Sequence, residues 1–223
     1  MSAAHVQVLG TVSGLGTTTV IAPSGKTVTA GNTVIVGWVS YDNVTVSGIT
    51  DNLGNTYVRV ERNAQAYQYT DLWYAPITHA GSITAITISH PNSANGTGAI
   101  ASEFSGVGTL SSVGAGTTGG VFVNSKTIPA NGLAVGVVDN NVGSTLVVGS
   151  ASGSPSTSIS VSVQFIPALS YSFGLFYALA GSSAVTTFTG KATSTGTVVG
   201  AGALFNPASL PTPSGASFLL RMI

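Results

Sequence analysis

The hydrophobic and polar positions of this chain alternate in short runs that predict β-strands. Val, Ile and Thr recur with a period of two in segments 33–39, 83–90, 133–138 and 158–165, and Gly, Asn, Pro and Ser bound these runs. Residues that favour helices, such as Glu, Lys, Arg, Gln and Met, are scarce and do not recur at helical spacing. The sequence therefore predicts an all-β protein.

Three short motifs recur in the same order about 100 residues apart. KTVTAGN at 26–32 is echoed by KTIPANG at 126–132, LWYA at 72–75 by LFYA at 175–178, and Phe104 by Phe205, at offsets of 100, 103 and 101 residues. Each half has an apolar face that it must cover, so two similar halves are expected to stack. We predict a jelly-roll-like antiparallel β-sandwich built from two similar strand sets, 24–106 and 124–206, around one shared core.

The two ends of the chain differ from the middle in composition. Residues 1–22 are small and rich in Gly and Thr, which predicts a flexible N-terminal arm before a sandwich spanning 23–206. Residues 207–223 contain three prolines and are expected to form an extended C-terminal tail. Its apolar end must be covered either by the chain's own sandwich or by a neighbouring subunit. These candidate subunit-contact residues are Phe218, Leu219, Leu220, Met222 and Ile223.

Charge is unusually sparse and unevenly distributed. Charged residues make up 5% of the chain, six basic and six acidic, against about 25% in an ordinary soluble domain. A chain without a basic stripe is not expected to bind nucleic acid. Half of the charges lie between Asp42 and Asp71, and few follow Phe104. Such a surface is poorly protected from association, so we expect much of the second half to face a neighbouring protein, the alternative being a soluble surface coated with Ser and Thr.

Several kinds of chemistry lack their residues. The chain contains no Cys, which excludes disulfides, thiolate zinc sites and Cys nucleophiles. No apolar run is long enough for a signal sequence or a transmembrane helix, so no membrane partner is expected. This pattern fits a particle protein made in a cytosol, or an exported protein whose signal has been removed.

An ordered series of motifs carries a resemblance to a known group of proteins. The series is ITDNLGNTY at 49–57, LWYA at 72–75, AGSIT at 80–84, SEFSGV at 102–107 and AGALF at 201–205. It resembles a β-sandwich module of bacterial exported proteins and tailed-phage structural proteins, over roughly residues 24–206. The resemblance implies a jelly-roll-like fold in a surface or virion component, and it implies no catalytic residue.

Local motifs that suggest a catalytic or ligand site have simpler structural interpretations. The segment 51–55, DNLGN, offers oxygen ligands for Ca²⁺ but lacks the acidic residues of a calcium loop, whereas Asn, Asp and Gly are typical of turns. No Gly-x-Ser-x-Gly elbow occurs, and His5, His79 and His90 have no partner that the sequence specifies, although a triad with Asp71 remains an alternative. We therefore predict no enzymatic activity, no cofactor and no metal.

Two further features have both a structural and a functional interpretation. Glu103 lies in a strand with small or apolar neighbours, where a carboxylate needs donors such as backbone N–H groups or a Trp or Tyr; a catalytic acid is the alternative. At a period of two, Tyr67, Tyr69, Asp71 and Trp73 share one face. Such a row is either core or subunit contact, or a platform on which sugars stack.

Two functions follow from these observations. The first is a structural protein of a phage virion, a capsid decoration or tail/fibre protein that associates with itself and with other particle proteins. The second is an extracellular or cell-surface module that binds carbohydrate or mediates adhesion to glycans.

Overall fold

A computed structural model describes residues 1–42, 44–65, 67–117, 127–140, 146–147, 151–152, 159–166, 171–184, 187–188, 191–192 and 198–209. These residues form strands and turns without a helix, which confirms the all-β prediction. No segment among them is a helix capable of crossing a membrane. The strands of the first half are β1 (Ala4–Ile21), β2 (Lys26–Val28), β3 (Thr33–Ser40), β4 (Gly48–Asp51), β5 (Val58–Gln65), β6 (Gln68–Pro76), β7 (Gly81–Ile83) and β8 (Ile86–Ser105). Those that follow are β9 (Val107–Thr117), β10 (Leu133–Asn140), β11 (Leu146–Val147), β12 (Ala151–Ser152), β13 (Ile159–Ile166), β14 (Tyr171–Leu179), β15 (Thr187–Phe188), β16 (Lys191–Ala192) and β17 (Val198–Pro207).

Two antiparallel sheets form the body of the protein, and both have the same strand order. The first sheet runs β1-β8-β3-β6-β5, with β4 also paired to β8. The second runs β9-β17-β10-β14-β13. Each strand of the second sheet occupies the place of its counterpart in the first, β9 that of β1 and β13 that of β5. Three two-stranded pairs, β2-β7, β11-β16 and β12-β15, complete the described strands.

The repeat also extends to the strand register. Thr33 in β3 lies opposite Pro76 and Phe104, and Leu133 in β10 lies opposite Leu179 and Phe205. These partners are offset by the 100, 103 and 101 residues that relate the sequence motifs. The two similar strand sets predicted from the sequence are therefore present in the fold.

The turn before each central strand repeats the same hydrogen bonds. Asn32 N–H donates to Thr29 O at 3.1 Å, and Gly132 N–H donates to Pro129 O at 2.8 Å. The residue before each of these donors is left-handed, with φ of +84° at Gly31 and +60° at Asn131. Gly and Asn adopt this conformation most readily, which explains why the repeated motif has these residue types.

An inter-sheet core fills the space between the two sheets. The first sheet contributes Ile35, Val39, Leu72, Ile100 and Phe104, and the second contributes Leu133, Val135, Val137, Phe173, Leu175, Ala201, Ala203 and Phe205, with Ala3 and Val107 at its margin. The sheets approach closely at Gly37, where a Cβ would lie 2.9 Å from Val137. Apolar faces from both halves thus cover each other, as the sandwich prediction requires.

A second cluster, the first-half core, covers the opposite face of the first sheet. Its largest members from the sheet are Trp38 and Trp73, and the chain between β3 and β8 folds over them with Val44, Val46, Tyr57, Ile77 and Ile83. Because both faces of β3 are covered, all eight of its residues are buried. The predicted single shared core is therefore accompanied by a core internal to the first half.

Most of the predicted N-terminal arm, residues 1–22, instead forms β1, an outer strand of the first sheet. β1 pairs antiparallel with β8 from Ala4, opposite Ser105, to Ile21, opposite Ile86. Leu9 and Ile21 enter the first-half core. Four register irregularities interrupt this pairing, and each bulge breaks the alternation of side chains, which is why the segment lacks a strand pattern in the sequence.

Candidate functional site

The aromatic row predicted on one face is present, but that face is interior. Tyr69 and Trp73 point into the first-half core, while Leu72 in the same strand β6 points into the inter-sheet core. Asp71 is fully buried and Trp73 is 8% exposed; only Tyr67, in the turn before β6, is widely exposed, at 66%. The four residues therefore do not form an exposed platform on which a sugar could stack.

Asp71 is held by an arginine from the neighbouring strand. Arg62 Nε donates to Asp71 Oδ1 at 2.7 Å and Arg62 Nη2 donates to Oδ2 at 2.6 Å. Burial raises the pKa of Asp71, and the Arg62 guanidinium opposes that change. The guanidinium of Arg59 lies 6.0 Å from the Trp73 ring centre and covers its outer side. Arg62 and Arg59 thus both contact residues of the aromatic row from the neighbouring strand β5.

The DNLGN segment forms the turn expected from its residue types. Asp51 Oδ1 accepts from the N–H groups of Leu53 at 2.9 Å and Asn55 at 3.1 Å. Its Oδ2 accepts from Asn55 Nδ2 at 3.0 Å and from the Tyr57 hydroxyl at 3.1 Å. Burial, and then the nearby Asp51 carboxylate, raise the pKa of Tyr57 far above its ordinary value. The Asp51 oxygens are committed to this turn instead of being arranged for Ca²⁺.

The same segment also fastens a second loop, which the sequence did not indicate. Asn55 Oδ1 accepts from the N–H groups of Thr78 at 3.1 Å and His79 at 2.9 Å. Asn52 Oδ1 accepts from the N–H groups of Thr84 at 2.7 Å and Ala85 at 3.2 Å. Two asparagine side chains thereby satisfy backbone N–H groups at 78–79 and 84–85, on either side of β7.

Glu103 is a buried structural carboxylate. Its Oε1 accepts from the backbone N–H of Thr29 at 2.9 Å and from Asn32 Nδ2 at 2.7 Å, and its Oε2 accepts from Gln7 Nε2 at 2.7 Å. The predicted backbone donor is confirmed, and the other two donors are amides instead of aromatic groups. These bonds join β1 and the 29–32 turn to β8.

The histidines occupy three separate environments. His79 Nδ1 lies 3.1 Å from Thr78 Oγ1, and His90 Nε2 lies 3.2 Å from the buried Thr19 Oγ1. His5 stacks on Tyr177 at 4.9 Å, and burial lowers its pKa. Asp71 is paired with Arg62, and His79 and His90 contact threonine hydroxyls, which argues against the alternative of a triad of His79 or His90 with Asp71. In the described parts of the chain no three His, Asp or Glu side chains converge on a metal position.

Polar contacts between the sheets were not indicated by the sequence. Gln68 Nε2 donates to Asp139 Oδ2 at 3.1 Å, and burial raises the pKa of Asp139 to about 7. Asn63 Nδ2 donates to Gly116 O at 2.6 Å and to Gly200 O at 2.9 Å. The partners are 53 to 137 residues apart in the chain, so no local pattern reveals them.

The outer strands β1 and β9 expose apolar side chains. These are Val6, Val8, Leu15 and Val20 in β1, and Leu110 and Val113 in β9. No Asp, Glu, Lys or Arg occurs in 1–25 or in 104–125. By contrast, the outer strand β5 at the opposite edge of the first sheet contains Arg59, Glu61 and Arg62.

A groove, defined here by Thr56, Val58, Tyr74, Pro76 and Thr78, lies beside β5 and β6 of the first sheet. It has a volume of about 260 Å³. Tyr74 and Pro76 also border an adjoining depression of about 400 Å³, whose other wall is Gly108, Thr109, Pro207, Ala208 and Ser209. The apolar tail residues Phe218, Leu219, Leu220, Met222 and Ile223 lie outside the described residues.

Comparisons with protein-family models, curated proteins and solved structures found no match to this chain. The resemblance to the β-sandwich module of exported and phage proteins therefore stays a prediction.

Proposed function

We propose that this chain is a non-enzymatic structural protein that associates with itself and with other proteins of a particle, as a virion component of the capsid-decoration or tail/fibre type. The observation that carries the proposal is the uncharged, apolar character of β1 and β9. These two strands occupy equivalent outer positions in the two sheets, so one copy offers two similar surfaces for self-association.

Outer strands are the parts of a β-protein that pair most readily with another chain. Natural proteins oppose this pairing with charges, especially Lys, or with Pro, short strands or bulges. β1 is 18 residues long and has bulges, but neither β1 nor β9 has a charged residue or a proline. Exposed Val and Leu side chains add an apolar contribution to association.

The roles of four carboxylates, three of them buried, support the non-enzymatic part of the proposal. Asp51 closes a turn, Asp71 pairs with arginine, Glu103 accepts three bonds and Asp139 accepts a bond from across the sheets. Each is engaged by groups of the fold.

A carbohydrate-binding or adhesion module, acting outside the cell, is the second candidate. The observation that favours it is the exposed ring of Tyr67, whose centre lies 6.3 Å from that of Tyr41. A pair of tyrosine rings can stack on one sugar, although it is a smaller platform than the four-residue row predicted from the sequence.

The test measures the mass of the purified chain in solution by light scattering over a range of concentrations. The unchanged chain should form oligomers, and Val8→Lys combined with Leu110→Lys should weaken their association at least tenfold. Thr50→Lys, which places one lysine at an exposed position of β4, is the control and should leave association unchanged. A monomeric chain that binds glycans, and loses binding with Tyr67→Ala, would support the second candidate and refute the first.

A further inference from the structure

The groove lined by Val58, Tyr74 and Pro76 has an apolar floor that is open to solvent. Val58 is 46% exposed, and the Tyr74 ring packs against Phe205 of the second sheet with ring centres 5.4 Å apart. The hydrogen bonds from Asn55 to the backbone of Thr78 and His79 hold one wall in place. The groove is therefore built from first-half residues, and Phe205 of the second sheet supports its Tyr74 wall.

The chain leaves the described part of the structure beside this groove. Ala208 is anchored by its N–H, which donates to Gly106 O at 2.8 Å, and by its carbonyl, which accepts from the amino terminus at 2.9 Å. Ser209 borders the depression next to the groove. Residues 210–223 continue from this point, and their last six residues include five that are apolar.

The length of the spacer decides which copy's groove the apolar end reaches. Residues 210–217 contain Pro211 and Pro213, which favour an extended chain of about 3.1 Å per residue, or roughly 25 Å in total. The depression that leads into the groove begins at Ser209 itself. We therefore expect an extended spacer of this length to reach past the groove of its own chain and to bring 218–223 within reach of a neighbouring copy.

We infer that the groove binds the C-terminal segment 218–223 of a second copy of this chain, with Phe218 and Leu219 packed against Val58, Tyr74 and Pro76. This inference rests on the self-association in the proposed function and supplies a second contact for it. Phe and Leu are expected to bury apolar area against these residues of the groove, which Thr56 and Thr78 also line.

Disulfide trapping in the full-length chain tests which copy supplies the segment. The chain has no Cys, so Thr56→Cys together with Leu219→Cys introduces the only thiols. Mild oxidation followed by non-reducing electrophoresis should yield covalent dimers and longer linked species. Leu15→Cys with Leu219→Cys is the matched control, because Leu15 lies in β1 at the opposite edge of the first sheet, and it should link at least tenfold more slowly. A disulfide within one chain would overturn the inference.

Complementation between two variants gives an independent readout. Val58→Lys blocks the groove, Phe218→Lys blocks the segment, and each should weaken association at least tenfold by light scattering. An equimolar mixture should recover dimers, because each variant keeps the half that the other lacks. Association that both variants retain, but that Val8→Lys with Leu110→Lys abolishes, would overturn the inference and leave the proposed function standing. An unchanged chain that is monomeric would contradict the proposed function itself.

Discussion

The charge of Asp139 should make the protein less stable as the pH rises. Asp139 lies between the sheets, 2% exposed, with Gln68 Nε2 donating to it at 3.1 Å. Burial raises its pKa from 3.8 to about 7. The folded protein therefore holds this proton at pH values where the unfolded chain has released it. The contribution of Asp139 to stability is complete below about pH 4 and is lost as the pH rises to about 7.

The size of the effect follows from that pKa change. A shift of one unit corresponds to about 1.4 kcal/mol, so the rise from 3.8 to about 7 corresponds to about 4 kcal/mol as an upper figure. Entry of water beside the charged group reduces it. Asp139→Asn keeps an oxygen that can accept from Gln68 and removes the charge. We expect this variant to be about 2–4 kcal/mol more stable than the unchanged chain at pH 8, and nearly equal to it at pH 4.

Urea unfolding followed by tryptophan fluorescence at pH 4 to 8 provides the measurement. Comparing the two proteins at each pH cancels the contribution of every other titrating group. Asp42→Asn, at a partly exposed site, is the control for the loss of one carboxylate outside the space between the sheets. The reasoning is refuted if Asp139→Asn is destabilising at pH 8, or if its difference from the unchanged chain does not grow between pH 4 and pH 7.

Three further sets of substitutions test the polar groups that hold the fold together, by urea unfolding. Glu103→Ala leaves three donors without their acceptor and should lower the free energy of unfolding by about 3 kcal/mol or more, whereas Glu103→Gln should lower it less. Equal stability of Glu103→Ala and the unchanged chain would contradict the three hydrogen bonds assigned to Glu103. Asn55→Ala should lower the free energy of unfolding by about 2–3 kcal/mol and speed proteolysis within 78–85. Resistance to proteolysis equal to that of the unchanged chain would argue against the hydrogen bonds from Asn55 to Thr78 and His79. Arg62→Met should cost about 3–5 kcal/mol because Asp71 is left buried and unpaired, and adding Asp71→Leu should recover most of the loss; no recovery would show that the cost arises elsewhere.

Much of the fold could be predicted because its signals are local. The 33–39 and 133–138 runs, the turn at 51–55 and the repeated motifs depend on alternation and turn chemistry within a few residues. The repeat then extends from sequence to register, since the central strands β3 and β10 are equally long and matching turns precede them, which places equivalent residues opposite each other. β1 escaped this logic, because its bulges remove the period of two on which strand prediction relies.

The candidate site could be predicted only in part. Alternation correctly placed Tyr69, Asp71 and Trp73 on one face of β6, but a period of two does not say what covers that face. The cover comes from the chain between β3 and β8, which lies over Trp73 with Val44 and Val46. Tyr69, Asp71 and Trp73 have the composition of a sugar-binding platform, but this cover places them in the interior of the protein.

By itself, the amino-acid sequence determined the strand content, the two similar halves, the turn residues and the scarcity of charge, because each depends on neighbouring residues or on composition. Only the tertiary structure decided which buried groups meet. Glu103 finds donors 71 to 96 residues away, and Asp139 meets Gln68 across 71 residues. The Glu103 bonds form when β1 and the 29–32 turn come together beside β8, and the Asp139 bond forms when the two sheets stack. Carboxylates and amides that are removed from water each require a hydrogen-bond partner, and only the tertiary structure brings that partner within reach.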